Sequence, residues 1–242
     1  MPFTVRWLGQ GGFLFRLGEK TLAVDPYLSD SVAQTDRFRR IVPIPIQPEA
    51  LSCDMVVCTH DHQDHLDADT ISKTSLPLYA GPDTCIAHFR ALGIDDGRLQ
   101  PLNAGDTVPL GDARVTALFA RHTEDSIGAL IEYRGLRLYV TGDTEYDERL
   151  LEAAGLHVDI LFICINGRLG NMNAQDAARV ARGVNCRLAV PMHYGMFAEN
   201  TEDPAVFVEA MKGSGIPTFV MDFDTEYSVP LLAERFAINQ AT

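Results

Sequence analysis

Four apolar, strand-like runs in this chain end in the same way, on a histidine or an aspartate. "DMVVCTH" ends on His60, "VTALFARH" on His122, "LRLYVTGD" on Asp143 and "LAVPMH" on His193. A short apolar run bounded by polar residues reads as an interior strand, so a fold that buries all four can gather their polar ends at one edge. The first run is followed by the densest cluster: residues 60–65, "HDHQDH", hold three of the seven histidines and two aspartates. His60 and His62 lie two apart, so at an extended strand end both imidazoles point the same way. Asp64 and His65 come after the chain has turned, where they can face a second ion.

Such a cluster is costly without a ligand, because desolvation and mutual repulsion disfavour many titrating groups at one spot. A metal ion removes that penalty. A structural zinc site draws on four protein ligands, usually thiolates, whereas imidazole and carboxylate alone suit an open, catalytic site. Taken singly, His122, Asp143 or His193 would read as an ordinary turn or cap residue; their coincidence at strand ends reverses that. His88, in a helical stretch, and His157, in a polar turn, have no such setting and read as ordinary residues.

The rest of the chain supplies a fold for these ends. "FTVRWL", "GFLFRL" and "TLAVD" alternate as strands of an antiparallel meander. The "GQGGF" between the first two opens a strand and no helix, so it reads as a tight turn and not a phosphate cradle. After the proline-bearing loop "IVPIPIQPEA" come strands at "DMVVCTH" and "LPLYA", a helix near "DTCIAHFRAL", and strands at "ARVTALFA", "GALIEY" and "LRLYVTGD". The last third alternates helices ("DERLLEAA", "NAQDAARVARGV", "PAVFVEAMKG") with strands ("VDILFICI", "RLAVPMH", "IPTFVMDF"), and Asn173 is placed to cap its helix, with Asp176 in the capping-box position. These strands are too numerous for one open sheet, so the pattern predicts an α/β fold of two sheets packed face to face with helices outside. No linker or internal repeat is evident, and residues 1–242 read as one domain.

Composition narrows the partners. The formal net charge is −13, which repels nucleic acid and anionic membrane surfaces, and the one dense basic run, "RFRR" (Arg37, Arg39, Arg40), reads as a solvated loop. Cys53, Cys58, Cys85, Cys164 and Cys186 form no C-x-x-C pair and sit mostly in or beside apolar strands, which predicts buried free thiols in a reducing cytoplasm. The N-terminal residues lack a basic head and apolar core, and no stretch approaches the length of a membrane span.

The order H-x-H-x-D-H, His, Asp, His resembles the metal-binding signature of the metallo-β-lactamase superfamily, over residues 25–193. The strings "DPYLSD", "THDHQDHLD", "TGDTEY", "INGRLGNMN" and "PMHYGMF" are similar to the branch that contains L-ascorbate-6-phosphate lactonase, although this chain is considerably shorter than that lactonase. The resemblance implies a four-layer αββα sandwich of two mixed sheets with outer helices. It further implies two divalent metal ions, manganese or zinc, with iron also acceptable to the donor set. His60, His62 and His122 would bind the first, Asp64, His65 and His193 the second, and Asp143 would bridge. The implied chemistry is hydrolysis by a metal-activated hydroxide, with Asp64 and Asp143 the catalytic carboxylates, on a small anionic lactone or ester such as L-ascorbate 6-phosphate. The related lactonase forms assemblies, so a homo-oligomer is implied as well. The alternatives are a phosphodiesterase or nuclease of the same fold, against which the acidic balance argues, a binding protein with an inert metal site, and an iron redox variant, whose relatives replace the second histidine that is present here as His62.

Around the mouth of such a site, Asn166, Gly167, Arg168, Asn171, Tyr194 and Arg121 are the substrate-binding candidates. A guanidinium with nearby amides suits a phosphate or carboxylate tail; the competing reading of "INGRLGNMN" is a plain turn into a helix. Asp125 and Ser126, in "HTEDS", are further candidates as substrate donors or supporting residues. Asp61 and Asp67 either hold an imidazole N–H or cap a turn.

Overall fold

In a computed structural model of the protein, residues 1–35 and 38–238 are described; Arg37 of the basic run lies outside the described residues. The period-two pattern near the N-terminus becomes three antiparallel strands, β1 (Phe3–Gly9), β2 (Gly12–Leu17) and β3 (Lys20–Val24), with Val5 opposite Phe15 and Phe13 opposite Val24. A single helical turn, α1 (Val32–Thr35), follows. The sheet then extends in parallel through β4 (Met55–Val57), β5 (Leu78–Gly81) and β6 (Leu99–Pro101), with α2 (Ala68–Lys73) and α3 (Asp83–Ala91) in the crossovers.

The second sheet repeats this plan. An antiparallel meander of β7 (Thr107–Leu110), β8 (Ala113–Phe119), β9 (Ile127–Tyr133) and β10 (Leu136–Val140) gives way to parallel β11 (Ile160–Cys164) and β12 (Leu188–Met192). The 3₁₀ segment Glu148–Leu156 and α4 (Ala174–Val184) make the crossovers, and α5 (Pro204–Ala210) packs on α4. Asn173 caps α4 by accepting the Gln175 and Asp176 backbone N–H groups at 2.9 Å. Finally β13 (Glu226–Ser228) pairs antiparallel with β1, and α6 (Val229–Arg235) returns beside it.

Both sheets are therefore mixed, and the alternation decides which face each buries. Val5, Phe13, Phe15 and Val57 point inward to meet Ile131, Leu138 and Phe162 of the second sheet, while Leu14, Ala23 and Val56 point outward against Ile71, Ile86 and Phe89 of α2 and α3. The inter-sheet contact centres on Phe162, whose ring lies 4.8 Å from that of Phe13 and 6.0 Å from that of Phe15. Truncation there leaves a cavity that neither sheet can close, so Phe162→Ala is expected to destabilise the protein by about 3–5 kcal/mol, read as a lower urea midpoint with unchanged slope. The result is the α/β sandwich of two mixed sheets and outer helices.

Two of the expected elements take another form, and β6, β7, β13, α1, α2 and α6 had no counterpart in the sequence reading. "IPTFVMDF" is not a strand: Pro217 has no N–H to give, and the segment makes only one bridge, Thr218 to Ala189. The polar triplet of β13 pairs instead, too short to show a period. "DERLLEAA" winds as 3₁₀ turns, and nothing in its packing accounts for the tighter winding. All five cysteines are buried and free, and burial pushes the Cys53, Cys164 and Cys186 thiols up to about 12, which makes them inert. Among the described residues no helix is long and apolar enough to cross a membrane.

Candidate metal centre

Strands of both sheets end at one edge, and the residues just beyond them meet there. His60 follows β4, His122 follows β8, Asp143 follows β10 and His193 follows β12. Asp64 and His65 come from the turn that follows His60, where the backbone N–H of His65 bonds to the His62 carbonyl. Three sets of donor atoms result, each lying within 4.8 Å of one another: His60, His62 and His122; His60, His65 and Asp143; and Asp64, His65 and His193. Asp143 stands between the outer two sets. Its Oδ1 is 3.2 Å from His65 Nε2 and 3.1 Å from His193 Nε2, and its Oδ2 is 3.7 Å from His122 Nε2. The first set is open at His62, whereas His65 and His193 are fully buried.

The hydrogen bonds behind the imidazoles fix which nitrogen faces inward. His65 Nδ1 donates to Asp25 Oδ2 at 2.7 Å, leaving Nε2 for the site. Asp25 also accepts the backbone N–H and hydroxyl of Thr59, both at 2.7 Å, so the Thr59 oxygen is free to accept from His60 Nδ1 at 3.1 Å. His122 Nδ1 donates to the Gly170 carbonyl at 2.9 Å. His60 Nε2 is then buried with no partner among the described residues, and an inward, unprotonated imidazole nitrogen held by an acceptor behind it is the arrangement of a metal ligand. The donor set of five imidazoles and two carboxylates fits divalent cations.

Charge divides the two ends. Burial pushes His60 and His62 below the usual imidazole range, so they are neutral at pH 7. Burial opposes charge on His65 and His193 as well, but Asp143, Asp25 and Asp64 outweigh it for His65, which rises well above its ordinary range, and Asp143 and Asp64 raise His193 to about 9. The same pairing holds Asp64 and Asp143 well below the usual carboxylate range against the opposing effect of burial. Both raised histidines are thereby biased towards the protonated form in the metal-free protein, and each must shed that proton to coordinate a cation. Metal binding at pH 7 should therefore release about two protons, one each from His65 and His193, and affinity should climb as pH rises from about 6.5 towards 9. Calorimetry in buffers of different ionisation enthalpy reads this directly; heats independent of buffer would mean that both rings are neutral before the metal arrives.

The structure gives the other sequence-stretch candidates varied settings. Arg168 is exposed on the loop whose Gly170 holds His122. Asn166 is buried and donates to Asn200 Oδ1 at 2.7 Å, tying that loop to the one after β12. Asn171 donates to Asp143 Oδ2 at 2.7 Å, so its amide holds a carboxylate of the site. Tyr194 is buried with its ring 4.8 Å from that of Trp7, and Arg121 faces Glu145 at 3.4 Å and Asp147 at 3.8 Å. Asp67 caps α2 and gathers the hydroxyls of Ser29, Ser31 and Thr70. Asp61 lies 3.4 Å from His88 Nε2, Asp125 accepts from Thr84 at the start of α3, Ser126 Oγ accepts from the Thr123 backbone, and His157 ends the 3₁₀ segment. Arg40 corrects the reading of the basic run as merely solvated: its guanidinium donates to the Tyr27, Ser29 and Pro43 carbonyls, because the loop turns these oxygens towards it.

Sequence reasoning missed Gln10, Thr59 and the part played by Asp25. Asp25 ends β3 as the ligands end their strands, so the same strand-end signal marks it. Gln10 lay hidden in the glycine-rich turn. Gln10, Asp25 and His193 all adopt left-handed backbone, at φ 48°, 44° and 62°, a conformation that costs a non-glycine residue energy and concentrates at functional sites.

The chain is similar in sequence and in fold to known proteins. Residues 20–194 match the beta-lactamase superfamily domain. A UPF0173 protein of Pyrococcus furiosus is 30% identical over 89% of this chain and 94% of its own length. A UPF0173 metal-dependent hydrolase of Archaeoglobus fulgidus is 28% identical over 90% of this chain and 94% of its own. Among solved structures, Igni18, a metallo hydrolase from Ignicoccus hospitalis, superposes with a TM-score of 0.77 at 20% identity, over 94% of this chain and 98% of that one. On the match across residues 20–194 and the near full-length likeness to the Pyrococcus protein, the chain belongs to the metallo-β-lactamase superfamily and, within it, to the UPF0173 family.

Proposed function

We propose that the protein is a metal-dependent hydrolase that holds two divalent cations, manganese or zinc, and opens a small anionic lactone or ester such as L-ascorbate 6-phosphate. The observation that carries this reading is the convergence of seven donor residues on one edge of the sandwich, three of their imidazoles held by an acceptor behind the ring. His60, His62 and His122 would hold one cation, Asp64, His65 and His193 the other, with Asp143 shared. Cations held there would supply Lewis acidity and a nucleophile drawn from water at neutral pH.

The chain's own residues supply the rest. Asp64 is the carboxylate to take up and return a proton, since its side chain is 18% exposed while that of Asp143 is only 6% exposed. Arg168, exposed beside the His122 loop, is placed to meet an anionic tail. The net charge of −13 supports a small-molecule partner over a polyanion, and the five buried free thiols support a cytoplasmic setting.

The test is acid release in a pH-stat from manganese-loaded protein given L-ascorbate 6-phosphate. Metal-dependent turnover is expected. Absence of turnover with two ions bound would discard this lactone and move the search to phosphodiesters, which the same donor set would serve.

A further inference from the structure

Three imidazoles of the site, those of His60, His65 and His122, are held from behind by acceptors, but His193 and the carboxylate of Asp64 are not. His193 Nδ1 is buried with no partner among the described residues, and Asp64 makes no contact with the Asp25–Thr59 pair. Both instead meet Gln10. Its Nε2 donates to Asp64 Oδ2 at 3.0 Å and lies 3.4 Å from His193 Nε2, while its backbone carbonyl accepts the His193 N–H at 3.0 Å. Gln10 is itself 0% exposed, and its carbonyl is anchored by the Trp7 indole N–H at 2.9 Å. The amide can face only one way, because the flipped form would set its oxygen against the Asp64 carboxylate. Its own Oε1 is consequently left buried without a donor among the described residues, which is a cost the fold accepts only if the donor on the other side is needed.

Resting on the two-cation reading above, we infer that Gln10 is the positioning residue of the second half-site, its amide aiming Asp64 and its backbone holding His193. Six of the seven donor residues then have a holder. Asp25 holds His65, Thr59 holds His60, Gly170 holds His122, Asn171 holds Asp143, and Gln10 holds Asp64 and His193, while His62 Nδ1 lies 3.0 Å from His122 Nε2. A neutral amide does this where a charged donor would compete: it orients a carboxylate without adding a cation beside a metal, and it has no proton to lose at physiological pH. The left-handed backbone of both Gln10 and His193 is the geometry that lets one residue reach both ligands.

The test is metal binding and not turnover. Metal-free protein is titrated with Zn²⁺ by calorimetry, with ion content checked by elemental analysis, and separately with Co²⁺ followed by its visible absorption. Gln10→Met keeps the length and bulk of the side chain and removes the donor; Gln10→Ala removes both, and the pair guards against one variant failing to fold. Both are expected to weaken one of two binding events by about 10–100-fold and to alter the spectrum of one cobalt equivalent, leaving the other unchanged. If Gln10→Met binds both ions as the unaltered protein does, the residue merely fills space and the inference falls. Equal weakening of both events would also overturn it. Should the unaltered protein take up only one ion, the two-cation reading fails, and the inference fails with it.

Discussion

Asp143→Ala is expected to strip at least one of the bound ions and lower hydrolysis by roughly 10²–10³-fold while the fold survives. Among the described residues Asp143 is the one carboxylate within reach of both ends of the site, at 3.1–3.2 Å from His65 and His193 and 3.7 Å from His122. Without it, the two outer sets lose the carboxylate that stands between them, and cations held there would lose their best-placed counterion. The fold persists for an equally physical reason: Asp143 is the largest of the charges that raise His65 and His193, so its loss shifts both rings towards the neutral form instead of leaving buried charge unpaired. The Asn171 amide loses its acceptor, a cost of about 1–3 kcal/mol. Elemental analysis and circular dichroism on the same sample decide the matter, and full metal content in the variant would overturn the bridging role.

Gly11→Ala should have an effect out of proportion to one methyl group. A Cβ there would lie 2.8 Å from His65 Cε1, 3.1 Å from its Nδ1 and 3.3 Å from Asp25 Oδ2. His65 has nowhere to go: its Nδ1 is held at 2.7 Å by Asp25, and its ring is stacked on His193 at 5.4 Å. The methyl group must therefore displace either the ligand or the turn. We expect about 1–3 kcal/mol of lost stability and a 10–100-fold weaker ion at the His65 end. Gly97→Ala, where a Cβ would meet nothing within 4 Å, is the control. Metal affinity of Gly11→Ala equal to that of the control would mean that the turn yields freely.

The contrast between these two residues marks how far the sequence could be read. Asp143 was legible because its signal is local: an apolar run that alternates or is fully buried ends on a ligand-type residue, and the same holds for His60, His122 and His193. Gly11 and Gln10 were not, because "GQGGF" satisfies the local requirements of a tight turn completely, and nothing nearby says that His65 will lie against it. The fold followed the same division. The longer strands were read at their places, whereas β6, β7 and β13, three or four residues long, were not, and β13 exists only because β1 offers it an edge.

Taken alone, the sequence determined the kinds of donor and the strand ends that carry them, since these follow from side-chain chemistry and the two-residue period of a strand. The support behind the donors was decided only by the tertiary structure. Asp25 reaches His65 across 40 residues, His122 leans on Gly170 across 48, and Gln10 touches His193 across 183. Hydrogen bonds act over about 3 Å, so which of many polar residues falls within that distance is settled by how the two sheets pack, not by any pattern along the chain.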